Sequence, residues 1–170
     1  MKTAYRSAME ALYLVCAIIA GSAIVIMTLS IPYGVFMRYV VNAAASWPEP
    51  LAVQMMILFT FIGGAACYRA SIHIAVKMFV DQLPDAGRRL TEWLVTGLVV
   101  LLCLFMIIWG TALVQITWNQ VIAELPWVWV GLSYMPIPIG GAITILFIIE
   151  LVWLGPPGPE SVMYREPTSN

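Results

Sequence analysis

The chain has 170 residues, of which 62% are hydrophobic and 10% charged, and its mean hydropathy is +0.92. Soluble domains usually carry about 25% charged and about 45–50% apolar residues, so this composition predicts an integral membrane protein. The net charge of −1 excludes a nucleic-acid-binding role, which needs a basic surface. Cys16, Cys67 and Cys103 are far apart within apolar runs, which predicts neither a disulfide framework nor a zinc site.

Four stretches without charged residues are long enough to cross a bilayer. A helix needs about 20 apolar residues to span a hydrocarbon core about 30 Å thick. The first stretch ends at Pro32 and the fourth at Gly155, because proline and glycine end helices. The second is bounded by the charged residues Glu49 and Arg69. We predict an all-α membrane domain over residues 1–154, with spans at about 11–31, 50–68, 93–118 and 133–154.

Positive charge is distributed unequally between the two sides of these spans, and cytoplasmic loops keep an excess of Lys and Arg. With both termini in the cytoplasm, the opposite side carries one such residue, Arg38, and the cytoplasmic side carries seven. The sequence therefore predicts cytoplasmic N- and C-termini, with residues 155–170 as a flexible cytoplasmic tail. The seven residues are Lys2, Arg6, Arg69, Lys77, Arg88, Arg89 and Arg165.

Residues 70–83 predict a short amphipathic helix between the second and third spans. His73, Lys77 and Asp81 recur every four residues opposite an apolar face, which is typical of a helix lying in the membrane interface. His73 is interpreted as a solvated residue of the polar face, and a specific contact with a partner is the alternative. Pro84 ends this helix.

The loop between the first two spans contains a capping motif. In Ser46-x-x-Glu49, the Ser46 hydroxyl can accept from the Glu49 backbone N–H while the Glu49 carboxylate accepts from that of Ser46. Pro48 falls in the first turn of this helix, and Pro50 is expected to remove one early helix bond. Aromatic residues on the same side predict an interfacial belt; these are Tyr39, Trp47, Trp127, Trp129 and Tyr134.

The spans lack the residues that membrane chemistry requires. A charge at the bilayer centre costs about 3 kcal/mol on insertion scales, so charged residues there usually serve a function. The first three spans contain no charged residue. A small antiporter needs a membrane acid, and a membrane haem protein usually needs two histidines per haem, whereas His73 is the sole histidine. We therefore expect no enzymatic activity, cofactor, metal site or substrate site on this chain.

Glu150 is the one acidic residue within the fourth span. It either reaches the cytoplasmic interface or pairs with Arg69, Arg88 or Arg89, and we favour an ordinary interfacial role. The runs Gly63-Gly64-Ala65-Ala66 and Gly140-Gly141-Ala142 predict close helix packing, and the polar residues Gln54, Gln115, Thr117 and Asn119 are expected to join helices or face the interface.

A longer pattern adds a family resemblance. Phe36-Met37-Arg38-Tyr39-Val40-Val41-Asn42 followed by Ser46-Trp47-Pro48-Glu49 resembles the signature of the small permease subunit (DctQ type) of tripartite ATP-independent periplasmic (TRAP) transporters. The likeness extends over about residues 10–153. Val41 stands where the family has an aromatic residue, and Pro50 replaces the second acid of its W-x-E-E pattern.

The resemblance implies a non-catalytic scaffold in the bacterial inner membrane. In TRAP systems a large permease subunit (DctM type) holds the substrate and sodium sites, and a periplasmic solute-binding protein delivers an organic acid. The small subunit would bind the large one and enlarge its immobile part within the lipid. The alternative function is an independent small carrier that acts as a homo-oligomer.

The resemblance also draws attention to the loop over residues 38–49. Arg38 and Glu49 are expected to form a charge-assisted contact, with Asn42 and Trp47 closing the hairpin and Tyr39 in the same motif. One hypothesis is that this loop helps to shape the surface facing the binding protein. The other is that these residues only cap the second span and anchor it at the interface.

Overall fold

The computed structural model describes residues 2–43, 45–71 and 85–155. The predicted interfacial helix with His73, Lys77 and Asp81 lies outside the described residues, except for its first two positions. The tail over residues 156–170 lies outside them as well.

Within the described residues, four helical segments are long and apolar enough to cross a membrane, which confirms the predicted all-α membrane fold. Span 1 is helix α1 (Lys2–Tyr39). Span 2 joins α2 (Pro48–Leu58), a π-helical turn (Phe59–Gly63) and α3 (Gly64–Ser71); span 3 is α4 (Asp85–Thr117); and span 4 joins α5 (Val130–Tyr134) and α6 (Pro136–Leu154).

Helix α1 continues through Pro32 instead of ending there, so the helix of the first span runs past its predicted end. In lipid, a backbone that leaves the helix exposes several unpaired polar groups, whereas a proline inside the helix removes only one bond. At 1.5 Å per residue the 38-residue helix is about 57 Å long, so it tilts or extends beyond the hydrocarbon core.

Five of the described serine and threonine hydroxyls within the spans bond to their own helices. Each donates to the carbonyl four residues earlier, which satisfies the hydroxyl in a medium without water. The Thr117 hydroxyl thus donates to the Leu113 carbonyl of its own helix and not to another helix. The set is Ser30 to Ile26, Thr60 to Met56, Thr111 to Ile107, Thr117 to Leu113 and Thr144 to Gly140, at 2.6 to 2.8 Å.

Span 2 lies between span 1 and span 4, and span 3 packs against span 4. The buried core where span 1 meets span 2 centres on Cys16, Ile62 and Ala66. The start of span 2 contacts the start of span 4, so residues 40–43, 45–47 and 118–129 lie at the same end of the bundle, which we call the loop end.

Glycines allow span 4 to approach both of its neighbours, as the small-residue pattern predicts. A Cβ added to Gly140 would lie 2.7 Å from the Phe61 carbonyl oxygen in the π-helical turn, and one on Gly141 would lie 3.1 Å from the Cys103 carbonyl oxygen. The prediction is wrong for Gly64, where an added Cβ would meet nothing within 4 Å.

A two-stranded antiparallel hairpin joins spans 3 and 4, where no strand was predicted. It pairs β1 (Val121–Ile122) with β2 (Leu125–Trp129). Span 4 begins at Val130, before the predicted start at 133, since Pro136 occupies the first turn of α6, where its missing N–H costs no helix bond. Gly155, at φ 72°, ends the span.

Candidate functional site

An exposed ion pair connects spans 1 and 2 at the loop end. Arg38, in the last turn of α1, donates from Nη2 to Glu49 Oε1 at 2.7 Å, and Glu49 lies in the first turn of α2. Each charge also suits its position, since helix C-termini favour cations and N-termini favour anions. The side chains remain 50% and 73% exposed, so both charged groups are accessible from outside the chain.

The loop between these helices turns through Asn42, and at its end Trp47 packs back against span 1. Asn42 has φ 53°, a left-handed conformation that Asn adopts more readily than most residues. The Trp47 ring packs on that of Tyr33, with centroids 5.3 Å apart, while Tyr39 is 73% exposed. The structure thus groups the motif residues Arg38, Asn42, Trp47 and Glu49 at the loop end and leaves the Tyr39 ring open.

The predicted capping box at the start of span 2 is wrong. Trp47 occupies the N-cap without a capping side-chain bond, and the Glu49 carboxylate binds Arg38 instead of turning back to Ser46. The helix starts one residue later than the box requires. Two of its four unpaired N–H positions then fall on Pro48 and Pro50, which have no N–H to satisfy.

Pro50 consequently removes no helix bond, contrary to the sequence-based expectation. The first bond of α2 runs from the Leu51 N–H to the Trp47 carbonyl, at 3.1 Å. Pro50 therefore lies at a position whose N–H would have no partner within the helix. Replacement of the family acid by proline leaves the backbone bonding of this helix start intact.

A buried ion pair connects spans 2 and 4 at the opposite end of the bundle. Arg69 donates from Nε to Glu150 Oε2 at 2.8 Å and from Nη2 to Glu150 Oε1 at 2.7 Å. Both side chains are 3% exposed. Such bidentate pairing fixes geometry as well as charge. Of the partners predicted for Glu150, the structure shows Arg69, and the Glu150 side chain is buried within the bundle.

Aromatic rings complete the surroundings of Arg69. Its guanidinium carbon lies 5.5 Å from the Tyr13 ring centroid and 5.4 Å from that of Phe147, within cation–π range. Spans 1, 2 and 4 thus converge on one cation, although Arg69 Nη1 has no hydrogen-bond partner among the described residues. Arg88 and Arg89 lie in the first turns of α4.

Sequence reasoning could have selected the Arg69–Glu150 pair by one signal. Arg69 ends the apolar stretch of span 2, and Glu150 is the single acid within span 4, on the same side of the membrane. Two such groups at the same depth are stabilised by pairing with each other, because an unpaired buried charge is costly. The signal gives no distances, however, and Arg88 and Arg89 satisfy the same criterion.

The described residues offer little for bond-making chemistry. In that part of the chain no group of three or more His, Cys, Asp or Glu side chains could hold a metal ion. Cys16 and Cys103 are buried, Cys67 is exposed, and all three are free thiols. What the described residues provide instead is an apolar bundle with an exposed ion pair at the loop end and a buried ion pair at the opposite end.

Comparison with known proteins identifies the family of this chain. The family model for tripartite ATP-independent periplasmic transporters, DctQ component, matches residues 27–155. The chain is also 26% identical over 135 residues to a protein of Haemophilus influenzae that is named as a TRAP transporter small permease protein, a match covering 78% of this chain and 81% of the relative. Such systems are tripartite, with a large permease and a solute-binding protein. This multi-pass membrane chain therefore belongs to the DctQ family of TRAP transporter small permease subunits.

Proposed function

We propose that this chain is the non-catalytic scaffold of a sodium-coupled organic-acid importer in the bacterial inner membrane. It binds a large permease subunit of the DctM type, which carries the substrate and sodium sites. The N- and C-termini are cytoplasmic, because the Lys and Arg residues lie overwhelmingly on that side. No sodium ion or cofactor is expected on this chain.

The observation that carries the proposal is that Arg69, a buried cation of the bundle, is already paired with Glu150. A site that moves an organic anion needs a cation or hydrogen-bond donors directed at the solute. Arg69, the cation at the end of span 2, is 6% exposed and directs two N–H groups to Glu150. Span 3, over Trp93–Thr117, contains no charged residue. The bundle therefore offers a solute little to bind.

The surface of the bundle supports a role in association. Large apolar side chains are exposed along every span; examples are Leu29 (67% exposed), Met56 (50%), Leu101 (67%) and Val152 (61%). Lipid covers part of this surface, and a large membrane partner would cover another part by packing of side chains. A stationary frame of this kind suits a transporter whose large subunit moves its substrate site.

The loop over residues 38–49 contributes to the surface that meets the periplasmic binding protein in this proposal. Its charged pair is accessible, unlike the buried Arg69–Glu150 pair. Accessible charges steer association and fix orientation more than they add affinity. Arg38 and Glu49, presented on one loop, are therefore suited to a transient partner that must dock and leave.

The direct test is uptake in proteoliposomes. Vesicles would contain the large subunit, this chain or both, with the binding protein, a sodium gradient and a radiolabelled organic acid added outside. We expect uptake only with both membrane subunits, and co-purification of the two from mild detergent. Uptake by this chain alone would establish an independent carrier, and full uptake by the large subunit alone would contradict the scaffold role.

A second test separates the two roles considered for the loop. Arg38→Ala should leave the yield of the membrane complex unchanged and lower uptake when binding protein is limiting. The charge-exchanged chain, Arg38→Glu with Glu49→Arg, keeps a local ion pair but reverses its direction. If the pair only anchors span 2, this exchanged chain should recover uptake. Normal uptake together with normal complex yield in Arg38→Ala would exclude the docking role.

A further inference from the structure

The hairpin at the loop end carries an aromatic surface that the proposed function does not use. Residues 118–129 contain three tryptophans. Trp127 is 72% exposed, Trp129 51% and Trp118 40%. The one charged residue of the segment, Glu124, lies in the turn between the two strands.

The hairpin is fixed against the ends of spans 3 and 4. The Val130 N–H donates to the Gln120 carbonyl at 2.9 Å, and the Trp118 and Trp129 ring centroids are 5.6 Å apart. A Cβ on Gly131 would lie 2.9 Å from the Trp118 Cα, so the chain returns in close contact with the end of α4. These contacts therefore fix the backbone that carries Trp127.

The position of the hairpin along the chain fixes its depth. The segment over residues 118–129, which contains the hairpin, begins directly after Thr117, the end of one membrane segment, and finishes directly before Val130, the start of the next. A two-stranded hairpin has unpaired backbone groups along both edges, which hydrocarbon cannot satisfy. Ile116, one residue before the end of span 3, is 74% exposed, so apolar surface reaches up to the hairpin.

We propose that this hairpin is a lipid-binding anchor, with Trp127 inserted among the phospholipid head groups at the loop end. Indole rings suit this layer because they join a large apolar face to one N–H donor. The tryptophans meet the ester and phosphate region, the strand edges bond to head groups and water, and Glu124 lies on the watery side. The anchor thereby sets the depth of spans 3 and 4 in the bilayer.

The other connection at the loop end has the opposite character. There the accessible groups are the charges of Arg38 and Glu49, which water or a soluble protein can meet. In the hairpin, the accessible groups are indole rings. This difference in chemistry favours lipid over a soluble partner as the occupant of the Trp127 surface.

Spin labels test the proposal in the full chain, after Cys16, Cys67 and Cys103 are replaced by alanine. A nitroxide is attached at Trp127→Cys or, as the matched control, at Glu124→Cys in the same hairpin. The chain is reconstituted in phosphatidylethanolamine–phosphatidylglycerol vesicles. Collision with oxygen, which concentrates in lipid, is compared with collision with a water-soluble nickel complex. We expect oxygen to dominate at position 127 and nickel at position 124.

Two results would overturn the proposal. One is equal nickel accessibility at positions 127 and 124 in a chain whose circular dichroism matches the parent. The other is loss of both oxygen and nickel collisions at position 127 when the large subunit or the binding protein is added, which would identify that protein as the occupant. Trp127→Phe and Trp127→Glu supply a second measurement, since only the charged variant should lower the ratio of oxygen to nickel collisions at a nitroxide on Trp129→Cys in the same hairpin.

Discussion

Loss of one partner of the Arg69–Glu150 pair should strongly destabilise the bundle. Both side chains are 3% exposed and share two bonds of 2.7 and 2.8 Å. Removal of one member leaves the other as a buried, uncompensated charge, which costs about 3–5 kcal/mol in proteins. We expect Arg69→Met and Glu150→Met each to lower the free energy of unfolding by this amount.

The double variant distinguishes pairing from simple packing. Replacement of both charges by apolar side chains of similar volume leaves no buried charge, and such exchanges are often neutral or stabilising by about 1–4 kcal/mol. The double variant should therefore be more stable than either single variant. Two single losses of about 3–5 kcal/mol and a double variant at least as stable as the parent give a departure from additivity of about 6 kcal/mol or more; residues in direct contact are those that couple in this way.

The measurement is unfolding by SDS in mixed micelles, followed by circular dichroism, for the four members of this double-mutant cycle. The exposed pair supplies the control, because surface ion pairs contribute about 0.2–1 kcal/mol; Arg38→Ala should therefore lie close to the parent. Additive losses in the double variant would refute the reasoning, as would a Glu150→Met chain as stable as the parent.

Two further predictions concern close contacts and the start of span 2. Gly140→Ala should lower the free energy of unfolding by about 1–3 kcal/mol, because its Cβ would meet the Phe61 carbonyl oxygen at 2.7 Å, whereas Gly64→Ala, with open space around it, should be neutral or slightly stabilising in the same SDS titration. Equal losses in both would contradict the packing argument. Pro50→Glu should change the free energy of unfolding by less than about 1 kcal/mol, since the favourable charge at the helix start is offset by the freer unfolded chain; a larger gain would mean that proline does disturb the helix.

The spans were predictable because hydrocarbon sets a length that charge-free stretches must satisfy. This length requirement shows which residues must be helical but not where the helix ends, so it does not predict that α1 extends to Tyr39. Proline ends many helices in water. In lipid, backbone N–H and C=O groups that leave the helix have no water to bond to, so the helix continues through Pro32.

The remaining differences arise from contacts between distant residues. The Ser46–Glu49 motif predicts a cap when read locally, but Arg38 competes for the Glu49 carboxylate across the loop. The spacing of apolar residues likewise does not predict the π-helical turn. Its Phe61 carbonyl faces Gly140, a residue far along the chain that a local pattern does not include. Local patterns predict which groups need partners, whereas the folded chain decides which partner each group receives.

The two ion pairs have a mechanical consequence for the bundle. Arg38–Glu49 ties span 1 to span 2 at the loop end, and Arg69–Glu150 ties span 2 to span 4 at the other end. Because span 2 is held at opposite ends by different neighbours, spans 1, 2 and 4 cannot separate without breaking a charged contact. Span 3 contains no charged residue between Trp93 and Thr117 and rests on the glycine contacts of span 4. The two contacts differ in strength, because the exposed pair contributes about 0.2–1 kcal/mol whereas loss of one partner of the buried pair costs about 3–5 kcal/mol, so the attachment of span 2 to span 4 is the stronger of the two.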